Sequence, residues 1–398
     1  MVTKWPISCL RNESELAYSR RMVKQVLLVN QSTGYLMVDI VNAYVASCQY
    51  DKVELFAGEI HVRPSVPDSS VHVIKTVRYD KSNIVKRLLT WIAAFVHLLF
   101  VVWRRGKNCH LVLVSNPPLT VFIPLFTRKK FCFVVYDLYP DSLFSQGFLR
   151  KESFIGRWWI RQNKKVFAKA ERVFTLSEDM KKAVAQYVTE DKIKIVYNWA
   201  HNEHMKPIAK EENPFLVDLD LQDKFIVLYS GNMGMTHDID IMVDVADRLR
   251  ENDGVRFLFI GEGAKKAVIE EKISEYGLSN CLVLPFQPLE VLPYSMGAAD
   301  VAVVTTDARQ SGLSVPSKTY TYLATGAALL CLAEDGTELG KLVKEHHVGR
   351  CFGGTQKDDM AAYIAALEQD GAMLANYKKN ARRTSLLYTP ENAKQYVI

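Results

Sequence analysis

The sequence lacks the short signatures of several common site types. Its seven cysteines form no CxxC pair, and none stands at metal-binding spacing from a histidine. It also has no P-loop and no Ser-His-Asp signature, and its nine histidines are scattered. Cysteines such as Cys132 and Cys331 stand in apolar runs, which predicts that they are small buried hydrophobes. This usage favours a reducing, cytoplasmic setting.

The sequence also lacks an uncharged run long enough to span a membrane. Residues 1–21 are polar and have no central apolar stretch of the signal-peptide kind, so we expect a disordered extension there. The longest uncharged run, Leu88 to Trp103, would form a helix of about 24 Å. Because the hydrocarbon core of a bilayer is ~30 Å thick, this run predicts a buried or membrane-dipping helix rather than a span.

No charge of one sign dominates the composition. The formal net charge is +6, with 24% charged and 48% apolar residues, which is the balance of a folded protein. The mild positive charge fits anionic substrates or an anionic membrane surface without requiring either. A length of 398 residues suggests two or three domains.

What the sequence does contain is a repeated alternation of short apolar runs and amphipathic stretches. The runs are apolar throughout, as in strands that helices cover on both faces. This order predicts an α/β fold with doubly wound parallel sheets. The strand candidates are 24–30, 110–116, 131–137, 172–177, 193–198, 225–231, 255–261, 281–286, 300–306, 328–333 and 348–352, and the helix candidates include 151–169, 178–187, 238–250, 264–276 and 317–325.

The alternation stops at residues 200–215, which are polar, contain two prolines and lack periodicity. This segment is therefore the predicted linker between two halves of similar size. The predicted division is an extension at 1–21, a Rossmann-like domain at 22–205, a second Rossmann-like domain at 206–383, and a C-terminal helix at 384–398.

Three loops in the second half have the composition of phosphate-binding turns. Ligands of open α/β sheets bind beyond the carboxyl ends of the strands, and glycines let the backbone approach them closely. A following helix N-terminus offers free N–H donors to a diphosphate. The candidates are Ser230, Gly231, Asn232 and Gly234 in the first loop, Gly261, Glu262 and Gly263 in the second, and Ser314, Ser317 and Lys318 in the third. Tight turns, helix capping and a solvated lysine are the structural alternatives.

In the first half, acidic and small residues follow the strands. Asp137 ends a strand and is the candidate to position an acceptor hydroxyl or take its proton. Asp141 is the second acidic candidate, and Ser32, Thr33 and Gly34 are candidates for the acceptor side. Helix capping is the alternative for either aspartate. The two DxD sequences, Asp238–Asp240 and Asp218–Asp220, are interpreted as structural, so no metal site is predicted.

Segment 148–170 mixes aromatic residues with seven basic residues, and only Glu152 opposes them. Basic amphipathic helices with Trp and Phe favour anionic membrane surfaces, and a solvated helix face is the alternative. We expect this segment, together with residues 84–105, to contact the inner face of the cytoplasmic membrane peripherally. No nucleic-acid-binding module is recognised.

The order of several motifs resembles a known family. The carriers are SNPPL, YDLYPD, FTLSEDMK, KIKIVYNW, VLYSGNMG, FLFIGEG and VPSKTYTYLATG, spread from about Lys24 to Phe352. The chain resembles family 4 glycosyltransferases of GT-B fold, in the branch of fucosyl- and N-acetylfucosaminyl-type transferases of bacterial surface polysaccharides.

The resemblance implies retaining transfer of a sugar from a nucleotide-diphosphate donor, with acceptor binding in domain 22–205, nucleotide-sugar binding in domain 206–383, and the C-terminal helix at 384–398 packed back on the first domain. Oriented N–H groups and a lysine can stabilise the leaving diphosphate without a metal, so no cofactor is expected. The long apolar run and the basic segment 148–170 lead us to expect a lipid-linked oligosaccharide as the acceptor. The resemblance also implies that the diphosphate lies at Gly231, Asn232 and Gly234 and near Ser317 and Lys318. The nucleotide is expected near Gly261–Gly263 and Phe286. Asp137 is the implied catalytic candidate in the acceptor half.

The sequence departs from the family pattern at one place. Many members have two glutamates eight positions apart before the Ala-x-Gly turn, and here these positions are Leu313 and Thr321. The basic pair that often follows the glycine loop is absent as well. Two alternatives therefore stay open: a nucleotide-sugar epimerase or hydrolase of the same fold, and a non-catalytic partner in a polysaccharide-assembly complex.

Overall fold

A computed structural model describes residues 23–61, 64–80, 82–145, 147–235, 237–305 and 315–398. The predicted N-terminal extension and the candidate Ser314 lie outside the described residues.

The first half forms a seven-stranded parallel sheet with the order β5-β3-β1-β6-β7-β8-β9. Its strands are β1 (Gln25–Val29), β3 (Lys52–Ala57), β5 (His72–Lys75), β6 (Cys109–Val114), β7 (Phe131–Val134), β8 (Arg172–Thr175) and β9 (Ile193–Ile195), and β2 (Ser32–Thr33) and β4 (Glu59–Ile60) form a small separate pair. The central strands are buried because helices cover both faces of the sheet.

The second half forms a six-stranded parallel sheet with the order β12-β11-β10-β13-β14-β15. Its strands are β10 (Phe225–Ser230), β11 (Val255–Ile260), β12 (Cys281–Leu284), β13 (Val301–Thr305), β14 (Ala328–Leu332) and β15 (Gly349–Phe352). Two doubly wound parallel sheets confirm the predicted α/β fold class. Cys132 and Cys331 are buried within these sheets.

Helices alternate with the strands in both halves. They are α1 (Tyr35–Ala46), α2 (Ile84–Arg104), α3 (Asp141–Ser145), α4 (Phe154–Phe167), α5 (Glu178–Ala185), α6 (Pro214–Asp218), α7 (Ile241–Arg248), α8 (Lys266–Tyr276), α9 (Leu292–Gly297), α10 (Lys318–Thr325), α11 (Glu338–His346), α12 (Lys357–Gln369) and α13 (Gly371–Ser385). Short 3₁₀ helices occupy Pro118–Leu125, Glu190–Lys192, Lys210–Glu212 and Pro390–Tyr396.

Two strands of the first sheet, β3 and β5, are absent from the predicted set. Strand β3 contains Glu54, a fully buried carboxylate that forms ion pairs with Arg105 at 2.6 Å and Lys52 at 2.8 Å. These partners hold the pKa of Glu54 below its usual value although burial alone would raise it. Buried charges persist when they are paired, so a strand can contain a residue whose type suggests a loop.

Helix α2 corrects the prediction for the long apolar run. It has 21 residues and starts at Ile84 because the Asn83 side chain caps it, accepting the amide of Lys86 at 2.9 Å. At 1.5 Å per residue it is about 31 Å long, which makes it long and apolar enough to cross a membrane by length and composition. However, Ala94, Leu98 and Val102 are buried in the protein core. It is therefore the crossover helix between β5 and β6, with one buried and one exposed face.

The chain returns to the first half after α13. Its last residues form the 3₁₀ helix Pro390–Tyr396, whose Tyr396 carbonyl accepts a 2.8 Å hydrogen bond from the Tyr44 hydroxyl of α1. The Tyr396 ring is fully buried, with its centroid 4.9 Å from that of Phe174. Both termini of the second half are thereby joined to the first sheet.

Candidate active site

Two glycine loops meet at the carboxyl edge of the second sheet. The Gly231 amide donates to the Ile260 carbonyl at 2.8 Å, and Gly231 and Gly261 adopt φ values of 146° and 145°. A Cβ on Gly261 would lie 1.9 Å from the Gly231 carbonyl oxygen. Since L side chains rarely adopt this φ and no atom fits in this space, both the backbone conformation and the close contact require glycine.

The same two loops hold each other farther along. The Met233 amide donates to the Glu262 carbonyl at 2.8 Å, and the Lys265 amide donates to the Met233 carbonyl at 2.9 Å. The Tyr229 hydroxyl donates to the Asn232 backbone carbonyl at 2.6 Å. The Asn232 residue itself is exposed. We call residues 230–234 and 261–263 the glycine cradle.

Lys318 points its ammonium group into the glycine cradle. A Cβ on Gly231 would lie 2.4 Å from the Lys318 Nζ, and this Nζ is 4.1 Å from the centroid of the Tyr229 ring. The Nζ atom is buried and has no hydrogen-bond partner among the described residues. Burial lowers the pKa of Lys318 to about 8. A buried ammonium without a partner is costly, so the arrangement is typical of a site that binds an anion.

Helix α10, which begins at Lys318, also contacts the cradle through Tyr322. The Ser230 amide donates to the Tyr322 hydroxyl at 2.8 Å. Ser317 precedes the helix and is exposed, and Thr321 is half-buried one turn beyond Lys318. The structure thus brings Ser230, Ser317 and Lys318 to one edge, whereas Ser314 lies outside the described residues.

Two further candidates remain: Phe286, which lies beyond the cradle, and Glu262, which is part of it. Phe286 follows β12, the neighbour of β11, and its side chain is 53% exposed. An exposed ring beside a phosphate-sized cradle can stack on a base. The Glu262 carboxylate forms an ion pair with Lys266 at 2.9 Å, so a local cation already neutralises it.

Asp137 lies at the carboxyl edge of the first sheet, just after β7. The Ser115 hydroxyl accepts hydrogen bonds of 3.0 Å from the amides of Tyr136 and Asp137, which fixes the backbone there. The Asp137 carboxylate reaches solvent and has no hydrogen bond or ion pair with another described residue. The protein around it still displaces enough water to raise its pKa. A raised pKa and a free carboxylate suit a group that handles a proton.

The other candidates of the first half are arranged differently. Asp141 accepts hydrogen bonds from Gln186 Nε2 at 3.0 Å and from the Tyr187 hydroxyl at 2.5 Å, so both of its oxygens are occupied. The Thr33 hydroxyl donates to the Asn30 carbonyl at 2.9 Å, while Ser32 is half-buried beside it. Gly34 precedes α1 and faces open space.

Contacts of the C-terminal segment connect the two halves near these candidate residues. Tyr35, next to Gly34, donates its hydroxyl to the Trp199 carbonyl at 2.8 Å, at the end of the first half. The Ala200 amide, next to Trp199, donates to the Tyr388 carbonyl at 3.2 Å, and the Tyr388 ring lies 4.8 Å from that of Tyr320 on α10. Tyr388 therefore contacts both the end of the first half and the helix that begins at Lys318.

The sequence interpretation missed an aromatic group beside Asp137. The Tyr79 and Trp91 rings stack with centroids 5.9 Å apart, and the Arg87 guanidinium lies 5.7 Å from the Trp91 centroid. The negative charge of Asp137 contributes to raising the pKa values of Tyr79 and Tyr139, after burial. These residues follow β5, a strand absent from the predicted set, so their place at this edge had no signal in the sequence pattern.

The DxD sequence Asp238–Asp240 is engaged in ion pairs. Lys265 Nζ lies 3.2 Å from an Asp238 oxygen and 2.6 Å from an Asp240 oxygen. Among the described residues, no group of three or more His, Cys, Asp and Glu side chains could hold a metal ion.

Comparisons with known proteins show what the chain is similar to. Residues 215–384 match the family model described as glycosyl transferases group 1. The chain is 27% identical over 303 residues to "Probable glycosyltransferase WbjE" of Pseudomonas aeruginosa, covering 74% of this chain and 75% of that protein. It is 32% identical over 175 residues to "Putative colanic acid biosynthesis glycosyl transferase WcaI" of Escherichia coli K12, 43% of each chain.

Solved structures resemble the whole molecule. Anabaena Alr3699/HepE in complex with UDP and glucose has a TM-score of 0.69 at 15% identity, covering 94% of this chain and 97% of that one. WaaG, a glycosyltransferase involved in lipopolysaccharide biosynthesis, has a TM-score of 0.68 at 12% identity, covering 94% and 99%. These likenesses concern the fold. The match of residues 215–384 to the group 1 model and the similarity to WbjE and WcaI indicate that this chain of GT-B fold is a glycosyltransferase.

Proposed function

We propose that this protein transfers a sugar, with retention of configuration, from a nucleotide-diphosphate donor to a lipid-linked glycan acceptor in bacterial surface-polysaccharide biosynthesis. The observation that carries the proposal is the buried, unpaired Lys318 ammonium aimed into the glycine cradle. The leaving nucleotide diphosphate gains negative charge as the bond between the sugar and the diphosphate breaks. A fixed cation and oriented amides stabilise that charge without reorganising.

The donor half of the proposal places the nucleotide along the edge of the second sheet. The diphosphate lies between the glycine cradle and Lys318, and the base stacks on Phe286. HepE, which has the same fold, binds UDP, and this supports a nucleotide-sugar donor. Lys318 lies on α10 and supplies a positive charge near the cradle, where the basic pair of many relatives is absent.

The acceptor half assigns Asp137 to the incoming hydroxyl. Its carboxylate accepts a hydrogen bond from that hydroxyl and takes the proton as the new glycosidic bond forms. Its raised pKa favours this exchange because a more basic carboxylate holds the proton more tightly. Asp141 is held by Gln186 and Tyr187, so we propose a supporting role for it in placing the loop after Asp137.

The sugar and the biosynthetic class rest on resemblance. WcaI is named for colanic acid biosynthesis and WaaG for lipopolysaccharide biosynthesis, which supports a bacterial surface polysaccharide as the product. The motif resemblance favours a fucosyl- or N-acetylfucosaminyl-type donor. A competition assay tests this choice: fucosyl and N-acetylfucosaminyl nucleotide sugars compete with glucosyl nucleotide sugars for turnover by the protein.

The location that we propose is the inner face of the cytoplasmic membrane. Exposed apolar side chains of α2, the 3₁₀ helix Pro118–Leu125 with the residue after it, and α4 with residues before it form one surface, the membrane face: Ile84, Val85, Leu88, Leu89, Ile92, Val96, Phe100, Trp103, Leu125, Phe126, Phe148, Phe154, Ile155 and Trp158. Ring contacts make it continuous, since Phe95 packs on Phe126 at 6.2 Å and Phe122 on Trp158 at 5.2 Å.

Charge and exposure both support a lipid surface as the partner of the membrane face. Trp103 is 66% and Phe154 79% exposed, more than a solvated helix face requires. Exposed basic residues surround these apolar side chains: Lys86, Arg104, Arg128, Arg157, Arg161, Lys164 and Lys165. Apolar area with basic flanks binds anionic lipid headgroups.

A thermal-shift panel with UDP, GDP, ADP, dTDP and CMP tests the donor site. A ligand at 100 times its dissociation constant should stabilise the protein by ~2.7 kcal/mol, and we expect one nucleotide to do so. Lys318→Met keeps the length of the side chain without its charge and should abolish that stabilisation. Lys182→Met, an exposed lysine of α5, is the matched control. Equal stabilisation of wild type and Lys318→Met would contradict the proposed site.

A further inference from the structure

We infer that Tyr79, Arg87 and Trp91 form a recognition patch for the acceptor, which binds the phosphate and the sugar at the lipid end of a lipid-phosphate-linked glycan. The inference rests on the proposed function, because it assumes a lipid-linked acceptor whose hydroxyl meets Asp137.

The patch is fastened to the carboxyl edge of the first sheet. Gln31 follows β1 at the carboxyl edge, and its Nε2 donates to the Val77 carbonyl at 3.2 Å and to the Thr90 carbonyl at 3.1 Å. One side chain therefore fastens both the segment before Tyr79 and the first turns of α2 to the edge that bears Asp137. Hydrogen bonds of this kind hold a site in place without occupying its outer surface.

The guanidinium charge of Arg87 is not neutralised by a carboxylate in the part of the chain that the structure describes. Arg87 forms no ion pair with any described residue. Its guanidinium carbon lies 5.7 Å from the centroid of the Trp91 ring, in a cation–π contact. Its neighbours differ: Arg78 bonds Glu59 through two nitrogens at 2.7 and 2.9 Å, and Arg105 bonds Glu54. A planar guanidinium that lacks a carboxylate partner is well suited to a phosphate, which it can bind in a bidentate manner.

The aromatic rings of the patch remain partly open to a ligand. The Trp91 Nε1 atom is buried and has no hydrogen-bond partner among the described residues. Tyr79 and Trp91 are both half-buried, so part of the stacked pair remains open to a ligand. Aromatic faces pack against the C–H faces of sugar rings, and an unused N–H can donate to a sugar hydroxyl.

These features follow one another along the surface. The membrane face begins at Ile84 and Leu88, in the turns of α2 that bear Arg87 and Trp91. Asp137 follows β7 and lies at the same carboxyl edge to which Gln31 fastens both segments of the patch. A lipid-linked acceptor would lie along this surface with its lipid tail on the membrane face and its phosphate at Arg87. Its first sugar would then pack on Trp91 and Tyr79, and its reacting hydroxyl would reach Asp137.

Binding to vesicles tests the inference. The probes are phosphatidylcholine vesicles that contain farnesyl diphosphate, farnesol or phosphatidylglycerol, and the readout is the bound fraction after flotation. Arg87→Ala should lose about tenfold in affinity for the farnesyl diphosphate vesicles, equivalent to ~1.4 kcal/mol, and little for the other two. Trp91→Phe, which keeps an aromatic face but removes the indole N–H, should weaken turnover of a lipid-linked sugar while the vesicle affinity stays unchanged.

Arg104→Ala is the matched control, because Arg104 is an arginine of the same helix whose guanidinium lies 4.0 Å from the Phe100 ring, at the far end from Asp137. Equal losses for Arg87→Ala and Arg104→Ala on diphosphate and phosphatidylglycerol vesicles would show general surface attraction and overturn the inference. The nucleotide thermal shift keeps the two proposals apart. A variant that no longer binds farnesyl diphosphate vesicles but keeps the nucleotide thermal shift has lost acceptor recognition only. If the wild-type protein shows no thermal shift with any nucleotide, the proposed donor site is contradicted instead.

Discussion

At the residue scale, Lys318 is the side chain in which an energetic cost and a binding role coincide. Its ammonium is desolvated over the Tyr229 ring, and no described partner compensates it. Because its folded-state pKa is depressed, Lys318 destabilises the empty protein below pH 8, where it is charged in both states, and this contribution is lost as the pH rises towards 10.5, where lysine is neutral in both states. A bound diphosphate supplies the missing counter-charge.

The pH dependence of nucleotide binding follows from this arrangement. The free site has a Lys318 pKa of about 8, and a bound diphosphate raises it. We therefore expect full affinity below pH 8 and a decline of up to about tenfold per pH unit above it. Isothermal titration from pH 6.5 to about 9.5 measures this decline. Lys318→Arg, which stays charged, should bind with a flat profile, and a declining profile in this variant would assign the titration to another group.

Asp137 makes a prediction about turnover rather than donor binding. Asp137→Asn should lower kcat by about 100-fold or more, since proton transfer by a positioned group contributes roughly 10²–10⁴. The nucleotide thermal shift should persist because the residue lies in the other half. The wild-type rate should fall on acidification with a midpoint above the ordinary aspartate value of about 3.9, because the pKa is raised and the carboxylate form is needed. An unchanged kcat in Asp137→Asn would remove the residue from the reaction.

At the element scale, α2 combines two roles that are usually separate. Its inner face closes the core of the first sheet through Ala94, Leu98 and Val102, and its outer face carries much of the membrane face. A membrane-spanning helix would expose all sides to lipid, whereas the second half of this helix is packed against the protein core through its buried residues. It therefore suits shallow attachment.

The outer face of α2 gives a prediction about attachment. Leu89→Glu places a carboxylate on the membrane face at a side chain that is 60% exposed, so the fold should tolerate it. Burying that carboxylate in lipid is costly, and the partition onto anionic vesicles should fall at least about tenfold. Val268→Glu, an exposed apolar residue of α8 in the second half, is the control in a flotation assay. A wild-type protein that stays in solution at low salt would contradict membrane attachment altogether.

The sequence predicted elements unevenly. The apolar strands β1, β6, β7 and β10 and the helices α5 and α8 coincide with their predicted segments because local pattern and tertiary environment agree. Strand β5 was missed because it is a short edge strand with an exposed His72 and Lys75. Helix α2 was predicted four residues too short at its start, since Lys86 and Arg87 interrupt the apolar run but not the helix.

At the scale of the whole molecule, the two halves are joined by the linker and by the returning C-terminal segment. The Lys194 ammonium donates to the Gln395 carbonyl at 3.0 Å, and the Tyr50 hydroxyl donates to the Ile398 carbonyl at 3.0 Å. In the linker region, Asp39 of α1 accepts from Trp199 Nε1 at 2.7 Å and bonds His201 Nε2 at 3.0 Å. These contacts attach the linker and the returning segment to the first half.

Removing the buried ring of the returning segment should loosen this arrangement. Tyr396→Ala deletes a fully buried aromatic side chain, for which the expected cost is roughly 3–5 kcal/mol in the free energy of unfolding. Urea denaturation measures it, and Tyr294→Ala, at a side chain 37% exposed, is the control. A loss below that of the control would mean that the C-terminal segment does not stabilise the first half.

The sequence by itself determined the α/β class, the two glycine loops and Lys318 beside a helix start, because these depend on local patterns: apolar runs, tight turns and residues next to strand ends. Only the tertiary structure decided that the Lys318 ammonium is buried and unpaired, that Asp141 is occupied by Gln186 and Tyr187, and that Tyr79, Arg87 and Trp91 lie beside Asp137. Burial, pairing and proximity are properties of atoms brought together from distant parts of the chain, and no local pattern encodes them.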